Sequence, residues 1–369
     1  MNTQITKYQL FSIVTNFIIF SSILMAPALT VTAAKQDGWI SMLFAVIIGV
    51  LLNALYLQLL KKHQYPTLFS LIDRSIGKWV GTILNLVLIF YAFHLAAMVV
   101  RNLSNFMVAS VFPNAHPWTF QLLILSLCMF TVFYGMNNLF LVSELLTPII
   151  ILTVLISVFL VIKDFQFIEL KPMFHTPPGD IFEGTYATLG FPFIESLLLG
   201  NFMHYVAVKK RAMTIHLAAI GSAGLVLTAA VFLIVGNDGA YIVARETYPT
   251  YSVLRDVKLS SIIERGEILI ALAWLVGLFF KISICFLVIM AGFQHLSGSN
   301  NYKPFILPTA ILIWAMSNHL HKTVTDFTEF VTSTWTLYWF TFYCVLILVF
   351  TIGLFRTKPP SLSTSKGGN

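Results

Sequence analysis

Two ionisable residues stand where an apolar chain should not hold them. Lys281 lies 14 residues after Glu267, inside the run ILIALAWLVGLFFKISICFLVIM. A helix rises 1.5 Å per residue, so Lys281 is about 21 Å from that end. Glu195 lies 14 residues before Lys209, at a similar depth from the opposite end. A charge at the centre of a membrane helix costs ~2.5–3.5 kcal/mol on insertion scales, so such residues face a cavity or a partner. One chemistry is a ligand or proton site. Glu195 would receive a ligand ammonium or carry a proton, and Lys281 would receive a ligand carboxylate or replace a coupling cation. The other is a buried Glu–Lys bridge that only fixes helix packing. The residues alone leave both open, together with separate partners for each.

The elements that position them follow from composition. The chain has 369 residues, of which 58% are hydrophobic and 10% charged, with 33 Phe. A soluble protein cannot cover that much apolar surface, and disorder needs the opposite balance. Only three Cys are present, all in apolar runs, so a disulfide scaffold is excluded. The expectation is an all-α polytopic membrane protein with a lipid membrane as its solvent. Nucleic acid is not an expected partner, despite the formal charge of +7. Runs of about 20 apolar residues mark spans. Ten are read, at roughly 10–34, 39–60, 79–108, 118–136, 139–162, 183–206, 210–235, 267–296, 304–321 and 333–356.

The ten divide five and five, and the first span of each half is interrupted. Span 1 holds Phe20-Ser21-Ser22 and then Pro27; span 6 holds Gly190-Phe191-Pro192-Phe193. Proline removes a backbone donor and biases its predecessor away from helix. Matched interruptions in two halves point to a midplane binding site in a transporter fold, although kinks at Pro and Gly are common in membrane helices. Counting Lys and Arg in the connections gives twelve on the side of the N-terminus and nine on the other. Both termini are therefore expected in the cytoplasm.

Several stretches resemble the permease-like B subunits of bacterial spore nutrient-germinant receptors, within the amino acid–polyamine–organocation transporter superfamily. They are Gln36-Asp37-Gly38-Trp39-Ile40-Ser41, Lys61-Lys62-His63-Gln64-Tyr65-Pro66 with Gly77-Lys78-Trp79, and Tyr91 with Arg101. Gly190-Phe191-Pro192-Phe193-Ile194-Glu195, Glu264-Arg265-Gly266-Glu267, Trp274 and Phe279-Phe280-Lys281 complete the set. The resemblance implies a LeuT-like fold of two inverted five-helix repeats, about 8–162 and 181–356, in a single domain over 1–358. It implies an amino acid or similar small nutrient as ligand, bound at a midplane cavity to trigger germination. It also implies A-type and lipoprotein C-type subunits as partners, and the bacterial cell or inner spore membrane as the location. At Phe20-Ser21-Ser22 the family usually carries a glycine-bearing stretch of the type Gly-Thr-Gly. Here serine hydroxyls would donate to a ligand in place of close backbone approach, and Phe20 would narrow the site.

The expected ligand-binding residues are therefore Ser21, Ser22, Tyr91, Gly190, Phe191, Pro192, Glu195, Phe280 and Lys281. His94 is either another cavity residue or an interhelical hydrogen bond. Arg101 lies near the outer end of span 3 and can snorkel. His204 and His216 read as interfacial, Glu144 likewise. His319 and His321 lack a third ligand for a metal site, so no metal or cofactor is expected. No P-loop, GxSxG or HExxH motif is present, which argues against an enzyme. Two other readings stand beside the receptor: a stand-alone proton-coupled amino-acid transporter, and a ligand-gated water or ion pore. Outside the spans, Pro66–Lys78 reads as a short amphipathic helix. Residues 236–265 read as a long outer connection, a lid with Tyr241, Ile242, Tyr248, Tyr251, Val253 and Leu254 on it. The tail 359–369 reads as disordered.

Overall fold

The computed structural model describes residues 4–256 and 266–356, without the Phe20 side chain. The tail and the stretch carrying Lys258, Glu264 and Arg265 lie outside the described residues. The described chain is helical throughout its apolar runs. The first span is α1 (Lys7–Ser22) and α2 (Ala26–Ala34), followed by α3 (Gly38–Lys62). Next come a short α4 (Leu68–Ile76), then α5 (Lys78–Phe106), α6 (Pro117–Tyr134) and α7 (Met136–Val161). The second half opens with α8 (Pro178–Thr188), which leads through a π turn (Leu189–Ile194) into a 3-10 stretch (Glu195–Tyr205). It continues with α9 (Lys209–Val243), α10 (Pro249–Asp256), α11 (Glu267–Ser297) and α12 (Ile306–His319). It ends with α13 (Val324–Glu329), a π turn and α14 (Thr336–Arg356).

Among the described residues, seven continuous helical stretches are long and apolar enough to cross a membrane. Three of the ten expected spans are not among them. These are α1, the broken 178–205 segment and the 14-residue α12, which are interrupted or short. Leu51, Ile83, Leu123, Phe130, Leu145 and Phe159 are exposed, an arrangement suited to lipid. The interior is built around α1 and α11, which pack on each other; α9 covers α1 and α5 covers α11.

One loop reading changes, and the short amphipathic helix is present with tighter bounds. The outer connection begins with helix, because α9 runs on to Val243 and bends at Gly239, whose φ of +74° suits glycine. The amphipathic helix starts at Leu68, with Thr67 Oγ1 accepting from the Ser70 amide. It stops at Gly77, where φ is +89°. Its face of Leu68, Phe69, Leu71 and Ile72 is buried as the spacing predicted.

Candidate functional site

The break in the 178–205 segment is built by its neighbours. Phe191 is extended (φ −113°, ψ 111°), and Pro192 has no amide hydrogen to offer. The carbonyls set free by the break need donors. Asn53 of α3 donates from Nδ2 to the Phe193 carbonyl (3.0 Å), and Ser196 Oγ lies 2.6 Å from the same oxygen. Tyr56 donates to the Leu197 carbonyl (2.8 Å). From the other side, Thr336 Oγ1 accepts from the Gly190 amide (3.1 Å) and donates to the Tyr186 carbonyl (2.8 Å). A Cβ on Gly190 would stand 2.5 Å from Thr336 Oγ1, so glycine lets α14 approach this closely.

The break in span 1 is shorter. Ser22 and Ala26 end the two helices, and Pro27 sits in the first turn of α2, where its missing donor costs nothing. The Ile23 carbonyl is met from outside by Thr250 Oγ1 of α10.

These breaks bring five of the nine expected residues together. Lys281 Nζ forms an ion pair with Glu195 Oε2, both side chains fully buried. The ammonium also donates to Ser21 Oγ (3.1 Å), which donates to the Phe17 carbonyl (2.8 Å) and lies 3.2 Å from Ser22 Oγ. The rings of Phe17 and Phe191 lie 4.8 and 4.7 Å from Lys281 Nζ. The other carboxylate oxygen, Glu195 Oε1, accepts from Trp335 Nε1. One lysine thus ties α11 to both broken spans, and one tryptophan ties the carboxylate to the start of span 10. Gly190 and Pro192 shape the turn that presents Phe191.

Tyr91 and Phe280 stand apart from the pair. Tyr91 donates to the Tyr338 carbonyl (2.7 Å) and stacks between Tyr338 and Phe342, each 4.2 Å away. Phe280 is buried with its ring against Phe279. His94 Nδ1 is 3.4 Å from Tyr338 Oη, and its ring meets Trp335 edge-on at 5.1 Å. His216, expected at the interface, is buried on α9. His204 is 3.2 Å from the Tyr65 carbonyl, and Glu144 accepts from Gln9 (2.8 Å).

Sequence reasoning missed Trp335, Thr336 and Asn53. Asn53 carried a signal, being an amide in the middle of a 25-residue apolar helix whose other amide, Gln58, lies near its basic end. Trp335 carried none, because tryptophan near a span end reads as an interfacial anchor.

A small void adjoins Glu195, with Met25, Met98, Phe191, Val331 and Trp335 on its walls. It offers about 20 Å³ to water centres, which is room for one water. A larger recess of about 640 Å³ lies between α5, α6, α7 and α11, lined by Leu, Ile, Val, Met and Phe with Thr131. It does not include the charged pair.

A family model described as spore germination protein matches residues 4–327. The chain belongs to the spore germination protein family. This family is the one the sequence motifs resemble. Spore germination protein A2 of Bacillus subtilis is 30% identical over 290 residues, 75% of this chain and 76% of that protein. Spore germination protein YndE of the same organism is 23% identical, covering 79% of this chain and 80% of YndE. Spore germination protein KB, also from Bacillus subtilis, is 22% identical over 85% of this chain and 84% of KB. Among solved structures, a Na+-coupled sialic acid symporter superposes with a TM-score of 0.64 at 13% identity, over 96% of this chain and 79% of the symporter. The nucleobase-cation-symport-1 family transporter Mhp1 gives 0.62 at 11%, over 96% and 91%. The chain is therefore a multi-pass membrane protein with the LeuT-like transporter fold.

Proposed function

We propose that this protein is the nutrient-sensing membrane subunit of a germinant receptor. The observation that carries this reading is the buried Lys281–Glu195 pair, which joins both broken spans beside a small void. A small zwitterion such as an amino acid matches that pair in charge. Its ammonium competes for Glu195 and its carboxylate for Lys281. Such a ligand favours whichever arrangement of spans 1, 6 and 8 binds it better, and only by that difference in affinity. The protein then needs no transport to signal. A-type and lipoprotein C-type subunits read the change from outside this chain. The end carrying Lys7, Lys61, Lys62, Lys209 and Arg356 faces the cytoplasm, in the inner spore membrane.

The fold neighbours are symporters, which supports a second reading, proton-coupled amino-acid transport. Here Lys281 stands in for a coupling cation. The test is a panel of amino acids added to purified protein in lipid nanodiscs, followed by thermal stability. The receptor reading expects a saturable shift from one small group of amino acids, lost in Glu195→Gln. The same protein in sealed liposomes under a pH gradient should not concentrate that amino acid. Concentrative uptake would establish the transporter, and no saturable shift from any amino acid would remove both readings.

A further inference from the structure

Outward of the void, three side chains each hold one buried nitrogen that has no hydrogen-bond partner. On α5, His94, Met98 and Arg101 follow one another at helical spacing and share a face, and Met98 lines the void. Across from them, the chain between α12 and α13 brings His321 into place. His94 and His321 flank one ring, Phe330, at 5.8 and 5.0 Å. His94 is 7% exposed and His321 9%. His94 Nε2, His321 Nε2 and Arg101 Nε are each buried and have no hydrogen-bond partner. Arg101 spends another nitrogen on the Lys322 carbonyl (3.3 Å), which fixes its guanidinium at this place. Lys322 itself is exposed. The carboxylate of Asp326 is also near, but it accepts from the Thr323 amide (3.2 Å) within the cap of α13.

Buried polar nitrogens without partners cost free energy, and a planar guanidinium fork fits a carboxylate. We propose that Arg101, His321 and His94 form an outer site for a small carboxylate anion, above the Glu195–Lys281 pair. Arg101 supplies the permanent charge and the fork. His321 supplies the second hydrogen bond from the opposite wall, and His94 forms the floor towards Trp335. Arg101 is half-buried and stands nearest to the bulk side, so an anion meets it first. The site needs no nutrient to be tested, and it stands or falls apart from the function proposed above.

Equilibrium dialysis of radiolabelled acetate against the full chain in nanodiscs at fixed ionic strength tests it. The expected result is saturable retention by the native chain and by Lys303→Gln, which removes a charge at the opposite end. Arg101→Gln should weaken retention by about tenfold or more, the loss of one charged hydrogen bond. His321→Gln should weaken it too, and it carries the test if Arg101→Gln fails to fold. Absence of saturable retention, or equal retention by both site variants and the native chain, would overturn the site. Equal competition by chloride would overturn the carboxylate assignment and leave a general anion site. Failure of chloride to compete supports the carboxylate.

Discussion

The two broken spans solve one problem in different ways. Span 6 leaves the α-helical form over a long stretch, from Leu189 to Tyr205, and its carbonyls are met by Asn53 and Tyr56 of α3 and by its own Ser196. Thr336 of α14 holds the Gly190 amide. Span 1 breaks only at residues 23–25, and the carbonyl of Ile23 takes its hydrogen bond from the outer helix α10. The first break is therefore fixed to neighbouring spans within the bundle. The second is tied to an element outside the spans. Lys281 joins the two through Glu195 and Ser21. A break with donors from full-length spans is suited to hold a site. A break latched by a short helix that is not itself a span is suited to move.

The sharpest way to break this comparison is to remove the link. If Glu195 and Lys281 pair only structurally, either single substitution leaves a buried charge and costs about 3–5 kcal/mol. The double substitution Glu195→Gln with Lys281→Met then recovers most of that loss and the ligand response with it. For a ligand site, each single variant loses the response while expression stays near native. The double is then no better than the worse single. We expect the second pattern, read from expression, thermal stability and amino-acid response. Recovery of both stability and response in the double variant would reduce the pair to a packing bridge.

The fixed break is next. Asn53→Leu removes two buried hydrogen bonds, one to the Phe193 carbonyl and one from the Ser196 hydroxyl, each with a net value of about 0.5–1.5 kcal/mol, while the Ser196 hydroxyl still meets the Phe193 carbonyl. Gly49→Ala tests the same contact through volume, since its Cβ would stand 2.7 Å from Phe193 Cβ. Overpacking of this kind costs about 1–3 kcal/mol. Thermal unfolding of both variants in nanodiscs checks the order. Native stability in Asn53→Leu would mean that water or relaxation replaces the scaffold around span 6.

The sequence made the spans legible because an apolar run of membrane length has few alternatives. Predicted and observed bounds differ by a few residues, as with 39–60 against Gly38–Lys62. The breaks were legible through Pro27 and Pro192, and the Glu195–Lys281 depth through counting. Partner choice was not legible. Nothing in the local pattern tells that Trp335 reaches Glu195 across 140 residues of chain. Tyr91 shows the reverse failure. It lies at a plausible depth, but helix rotation turns its ring to α14, and a phase error of that size is invisible without the packing. The outer connection reads as loop in part because Tyr241 and Ile242 were grouped with Tyr248 and Tyr251. The structure separates them. The first two are exposed on the end of α9, and the second two are buried, with Phe106 at 5.0 and 5.1 Å.

The smallest expected effect belongs to the latch. Thr250→Val keeps the shape of the side chain and removes its hydroxyl from the Ile23 carbonyl. The carbonyl lies towards the outer end, where water can reach it once α10 lifts. The loss should therefore stay near the net value of one hydrogen bond, about 0.5–1.5 kcal/mol. The informative readout is local. Tyr248 still holds Asn102 Oδ1 (3.0 Å), so α10 should stay docked on α5 while it loosens from span 1. Hydrogen exchange should then speed up in residues 23–26 and 249–254 and stay unchanged in 189–197. Equal protection in the variant and the native chain would show that α10 does not latch span 1. Faster exchange at 189–197 as well would show that the two breaks move as one unit, and the contrast between a fixed and a mobile break would fail.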